Sequence, residues 1–223
     1  MKKRYSLLIM GCISIAIISI SIIVSFYMPY NGEETSATIE SAKQLKISAS
    51  EIGTGWEGEF GYISDPVKTF EEACEYLETM KDELKKNITD EEVFQENLEK
   101  DKARFLELRD RLREYDAKDG YFLFLQKLDK PPKSLVEADV FVFNNTNGAR
   151  KFFDYTKNKL NGSSISGIGD EAAISKTETT HIWLVRTSNA CIKVIVWDGK
   201  ETGRLIAERI MDKAEKWKKD TVC

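Results

Sequence analysis

The chain has 223 residues, of which 31% are charged and 42% hydrophobic, and a formal net charge of −4, an ordinary balance for a globular protein with a membrane segment. Lys2, Lys3 and Arg4 lie ahead of that segment, so the remainder is more acidic still, which disfavours nucleic acid and any broad grip on anionic lipid. Four cysteines without a CxxC pair argue against a zinc ribbon or a thioredoxin-type site.

Leu7 to Met28 carries no charge and is long enough for about 33 Å of helix, the depth of a bilayer core. Basic residues precede it, and Glu33 and Glu34 follow. The reading is a transmembrane anchor over 1–30 that meets the membrane through residues 7–28, with the N-terminus cytoplasmic and the rest extracytoplasmic. Two alternatives stay open. A cleaved signal peptide lacks a clear A-x-A site here. Ile9-Met10-Gly11-Cys12 resembles a lipoprotein processing signal, but the apolar run continues past Cys12. Residues 31–43 are polar and small and read as a linker, and the domain is read over 44–223.

Leu45 to Gly55 reads as a short strand, a helical turn and a loop, and Trp56 to Ile63 as a strand. Ser64-Asp65-Pro66 is a helix start. Val67, Phe70, Cys74, Leu77, Met80 and Leu84 then recur at helical spacing. After a break at Asn87-Ile88, Thr89 with Glu92 forms a capping box for a second helix with a stripe of Phe94, Leu98, Phe105, Leu108, Leu112 and Tyr115. Together, 66–115 is a helical hairpin inserted into the domain.

Asp116 to Gly120 reads as a turn, Tyr121 to Leu128 and Glu137 to Phe143 as strands, and Asn144 to Leu160 as a capped short helix. Asn161 to Ser164 is a loop. Three short strands follow the Gly167-Ile168-Gly169 turn, and the last two, His181–Thr187 and Cys191–Trp197, form a hairpin. Both are apolar on both sides, which predicts a sheet covered on both faces. Asn189 is the candidate for a left-handed turn conformation. Lys200 to Lys219 is a last helix, with Leu205, Ile206, Ile210, Ala214 and Trp217 on one side. The fold class is α+β: an antiparallel or mixed sheet packed by helices.

Leu45–Trp56 (LKISASEIGTGW), Val140–Phe153 (VFVFNNTNGARKFF), GIGDEA from Gly167 and VRTSNACIKVIV from Val185 resemble small extracytoplasmic lipoprotein and sensor-type domains, which are similar to the PsbP-like α+β sandwich. The resemblance implies an architecture and an outside location, and no functional residue. The chain departs from it in its transmembrane-type anchor and in the 66–115 hairpin.

Gly167 to Ala172 matches G-x-G-x-x-A, yet a loop precedes the glycines and a strand follows, so a dinucleotide site is not expected. No cofactor and no metal are expected. His181 is the one histidine, and no G-x-S-x-G elbow accompanies it, so no catalytic residue is assigned and no enzyme is expected. Asp170 and Glu171 could be paired carboxylates for a hydrolase or a cation, but a turn-capping Asp accounts for the pattern better. Trp56, Tyr121, Trp183 and Trp197 are the candidate lining of an apolar ligand pocket, although helix-to-sheet packing accounts for them as well. Cys74, Cys191 and Cys223 allow one disulfide or buried free thiols. The expected role is non-enzymatic binding by a membrane-anchored accessory module, whose partner is another membrane or surface protein. The alternative is a small molecule or lipid held in the aromatic pocket.

Overall fold

The structure is a computed structural model that describes residues 39–85, 91–127, 135–197 and 200–221. The anchor read over 1–30, most of the linker and Thr89 of the capping box lie outside these residues. Among the described residues, no helix is long and apolar enough to cross a membrane.

One antiparallel sheet organises the chain. Its strands are β1 (Trp56–Ile63), β2 (Ala117–Lys127), β3 (Leu135–Phe143), β4 (Ser163–Ile165), β5 (Glu171–Lys176), β6 (Thr180–Thr187) and β7 (Ala190–Trp197). Their order across the sheet is β1-β2-β3-β7-β6-β5-β4. The chain builds β1 to β3, crosses to the far edge, and returns strand by strand until β7 lies beside β3.

Alternation along the strands gives the sheet two faces. On the first, Tyr121, Leu123, Val136, Val140, Ile192, Val194 and Val185 form one core with Ile206, Ala207, Ile210 and Ala214 of the C-terminal helix. The 3-10 turn Ala42–Leu45 and the helical turn α1 (Ala49–Ile52) close the same face. On the second face, Phe141, Phe143, Leu184 and Cys191 pack against α4 (Thr146–Lys159) and against the hairpin of α2 (Pro66–Lys85) and α3 (Glu91–Glu114). That hairpin has its own seam of Leu77, Phe94 and Leu98. Each large side chain so buried contributes about 1.5–3 kcal/mol. The C-terminal helix is α5 (Lys200–Thr221). The expectation of a sheet covered on both faces therefore holds, and all its pairings are antiparallel.

The helix starts follow their capping residues. Asp65 Oδ1 accepts the Lys68 N–H at 3.0 Å, and Asn145 Oδ1 accepts the Gly148 N–H at 2.8 Å. The hairpin 66–115 connects β1 to β2, which are neighbours in the sheet.

Five local readings are corrected. Leu45 and Ile47 do not form a strand: the backbone is extended at Lys46 and Ser48, but no strand lies alongside, and both apolar side chains drop into the core between two turns. The packed chain starts before Gln44, because Ile39 and Ala42 are core residues. β2 begins at Ala117 inside the region read as a turn; the left-handed residue is Asp116, at φ 62°, and the register shifts between Ala117 and Asp119. In the β6–β7 turn the left-handed residue is Ser188, at φ 50°, and not Asn189. A short strand, β4, was also missed within the loop reading, since three residues show too little alternation to be seen.

Candidate functional site

On the second face, β3 and β7 carry charges where apolar residues would be expected. Val136, Ala138, Val140 and Val142 all turn into the first core, which forces Glu137 and Asp139 to the opposite side. In register, Asp139 stands between Lys193 of β7 and Phe122 of β2, while Glu137 stands between Ile195 and Phe124. Directly opposed strand residues have Cβ atoms about 4.5–5.5 Å apart, and Lys193 and Asp139 form an ion pair.

These three charges form the floor of a cavity of about 260 Å³ between the sheet, α4 and the helical hairpin. Its walls are mainly aromatic: Phe70 and Phe105 from the hairpin, Phe122, Phe124 and Phe141 from the sheet, and Phe152 from α4. Phe70 meets Phe105 at 5.8 Å and Phe141 at 6.4 Å between ring centroids; Phe141 meets Phe152 edge-on at 5.6 Å.

Among the described residues, the Asp139 carboxylate is ion-paired with Lys193, whereas the half-buried Glu137 carboxylate makes no hydrogen bond or ion pair. Burial, reinforced by the Asp139 charge, pushes Glu137 up to about 7 against the pull of Lys193 and Arg104. Burial works to lower the Lys193 ammonium, but Asp139 and Glu137 outweigh it and hold it above its ordinary value. Thr156 also lines the cavity, and its Oγ1 is buried without a hydrogen-bond partner. The Cys191 thiol, 1% exposed, is pushed up to about 12 by burial, so it is no nucleophile near neutrality. At the rim, Arg104 lies 3.5 Å from Asp101, and Lys159 pairs with Glu107 and donates to Tyr155 Oη at 3.2 Å.

The four aromatic residues singled out in the sequence are not gathered round one cavity. Trp56, Tyr121 and Trp183 face the first core, and Trp197 alternates with them onto the second face. Tyr121 is fully buried, and its hydroxyl donates to the Leu45 carbonyl at 3.0 Å. Trp183 lies beside a smaller concavity of about 180 Å³, with Nε1 buried and without a partner. Asp170 holds the turn, as expected of a capping residue, while Glu171 opens β5 opposite Arg186. Asp170 accepts the Ser188 N–H at 2.6 Å, and both carboxylates pair with Arg186. Cys74 and Cys191 are buried free thiols. Among the described residues, no group of three or more His, Cys, Asp or Glu is placed to hold a metal ion.

Glu137, Asp139, Lys193 and Thr156 were missed in the sequence. For the three charged residues the signal is a charge set into a strand that is otherwise apolar on both sides, as in Glu137-Ala138-Asp139 and Ile192-Lys193-Val194, whereas Thr156 lies on the α4 face towards the sheet.

Fold and cavity define a class: a single-sheet antiparallel α+β domain, helix-covered on both faces, with an aromatic cavity over its two central strands. No family model matches the chain, and no curated protein matches it. Among solved structures, the chain is similar to the extracellular domain of PknH from Mycobacterium tuberculosis, at 11% identity over 78% of this chain and 95% of that one, with a TM-score of 0.44.

Proposed function

We propose that the chain is a membrane-anchored, extracytoplasmic and non-enzymatic binding domain whose ligand is a small, largely apolar molecule seated in the cavity over β3 and β7. The observation that carries this reading is the aromatic-walled space of about 260 Å³ with an unpartnered carboxylate on its floor. The location rests on the apolar run Leu7–Met28, with basic residues before it and acidic ones after. It also rests on the sequence resemblance to extracytoplasmic sensor-type domains, the PsbP-like sandwich among them. A protein partner gripped through apolar surface has less support, because among the described residues Val93 is the large hydrophobic left mostly exposed.

The test is to recover the full-length chain from its own membrane in lipid nanodiscs, extract it with organic solvent, and identify bound small molecules by mass spectrometry. One molecule in fixed stoichiometry, lost when Leu108→Trp fills the cavity, supports the reading. A stoichiometric protein companion with no retained small molecule overturns it. Topology is tested separately: a protease added to intact cells is expected to cut within 39–223.

A further inference from the structure

We propose that the ligand of this cavity is an organic cation, an apolar or aromatic body carrying a protonated amine that pairs with Glu137. The inference rests on the cavity being a ligand site, and it adds the chemistry that the site selects.

The distribution of charge points this way. Every cation near the cavity already has its own carboxylate. Lys193 of β7 pairs with Asp139 of β3, Arg104 of α3 with Asp101, and Lys159 of α4 with Glu107. Tyr155 of α4 donates its hydroxyl to the same Glu107. β2 contributes Phe122 and Phe124 to the lining, and no charge. Glu137 is left over: the lining carries Lys193, Arg104 and Lys159 against Glu137 and Asp139, and with the rim partners Asp101 and Glu107 the count becomes three cations against four carboxylates once Glu137 ionises. Glu137 is half-buried, and a carboxylate partly withdrawn from water without an ion-pair partner carries a desolvation cost that an incoming cation would offset. An anionic ligand would meet Glu137 with no free cation to offset it.

The walls fit the same occupant. Phe124 is the cross-strand neighbour of Glu137, and Phe122 stands beside Asp139. The negative faces of aromatic rings attract an ammonium or alkylammonium group, the more so when it is desolvated. Thr156 Oγ1, buried and unpaired, is a further acceptor within the lining. A hard metal cation is a poorer fit: calcium takes six to eight oxygen ligands, whereas this cavity offers Glu137, an Asp139 already paired with Lys193, and the Thr156 hydroxyl within an aromatic wall.

Isothermal titration of the full-length chain in zwitterionic nanodiscs at pH 8, with empty nanodiscs subtracted, tests the inference. The probes are phenethylamine, the neutral phenethyl alcohol and the anionic 3-phenylpropionate. The amine is expected to bind at least about tenfold more tightly than the alcohol, the scale of a hydrogen bond to a charged group, and the propionate most weakly. Glu137→Gln, an isosteric change, is expected to remove the amine's advantage and leave alcohol binding unchanged, with circular dichroism confirming the fold. Equal binding of amine and alcohol, or an unchanged amine affinity in Glu137→Gln, overturns the cation inference and leaves the cavity reading standing. Failure of all three probes to bind the wild-type chain overturns both.

Discussion

The side-chain amide of Asn189 bonds both backbone polar groups of Ile39, a residue 150 positions earlier: Oδ1 accepts the Ile39 N–H at 2.8 Å, and Nδ2 donates to its carbonyl at 3.0 Å. Nδ2 also donates to the Phe143 carbonyl at 2.6 Å, so the segment entering from the N-terminal side is fastened to the β6–β7 turn and to the end of β3. Asp119 fastens the next residues, accepting from Ser41 Oγ at 2.6 Å, Ala42 N at 2.9 Å and Tyr62 Oη at 2.8 Å. Asn189→Ala leaves three buried backbone groups without these bonds. The expected loss is about 2–4 kcal/mol, read as a lower urea midpoint at unchanged slope. An Ala variant within about 0.5 kcal/mol of wild type, the spread of ordinary surface changes, would show that the fastening contributes little.

Glu137 gives stability a pH dependence. Its carboxyl holds a proton more tightly folded, at about 7, than at its ordinary value of 4.5. The associated stability is complete below pH 4.5 and is lost as pH rises through 7. Glu137→Gln removes that loss. In the ligand-free chain the variant is expected to be more stable at pH 8 by about 1–3 kcal/mol, with the gap closing toward pH 4.5. Chemical denaturation at the two pH values measures it, and a gap independent of pH would contradict the raised value.

Thr156→Val removes a buried hydroxyl that has no partner in the ligand-free chain. The change nearly conserves shape, so a gain of about 1 kcal/mol is expected, seen as a higher melting temperature. Destabilisation would mean that the hydroxyl is satisfied after all.

Gly203 lets α5 lie against β6. A Cβ built there would sit 2.5 Å from Trp183 Cδ1 and 2.8 Å from Val196 Cγ2, both in the core. Alanine gains up to about 1 kcal/mol in helix propensity, but overpacking costs about 1–3 kcal/mol. The net expectation for Gly203→Ala is a loss. It should shrink when Trp183→Leu makes room, a coupling that a double-mutant cycle measures. Additive effects would place the cost elsewhere.

Much of this fold is legible residue by residue. Period-two alternation marks β6 and β7, including which residues share a face, and helical spacing marks α2 and α3 with Asp65 and Pro66 at the start. The site is harder to read. Glu137, Asp139 and Lys193 stand out as charges in apolar strands, but the pairing that joins them is between strands separated by α4 and by β4 to β6. Periodicity reports which face a residue takes, and is silent on which strand lies beside it. Aromatic identity is equally silent on location: Tyr121 is committed to Leu45 within the first core, while the phenylalanines of the cavity look in sequence like ordinary packing residues. The left-handed turn position falls on Ser188, while Asn189 uses its amide to hold Ile39 and Phe143, a long-range role that the turn sequence does not reveal.

The strand order divides assembly into two parts. β1 to β3 zip through neighbouring antiparallel pairs, and β4 to β7 form a meander in which each strand pairs with the next. Among the described strands, the pairing that brings the two parts together is β3 against β7, and the Asp139–Lys193 ion pair spans that junction. Closing β3 on β7 is a long-range step, as is closing β1 on β2 across the helical hairpin, and both carry a loop-closure cost. The cavity floor comes into being when β3 and β7 pair. A molecule resting on it draws on both, and its expected signature is slowed amide exchange along β3 and β7 together, from residues that share no neighbourhood in the sequence.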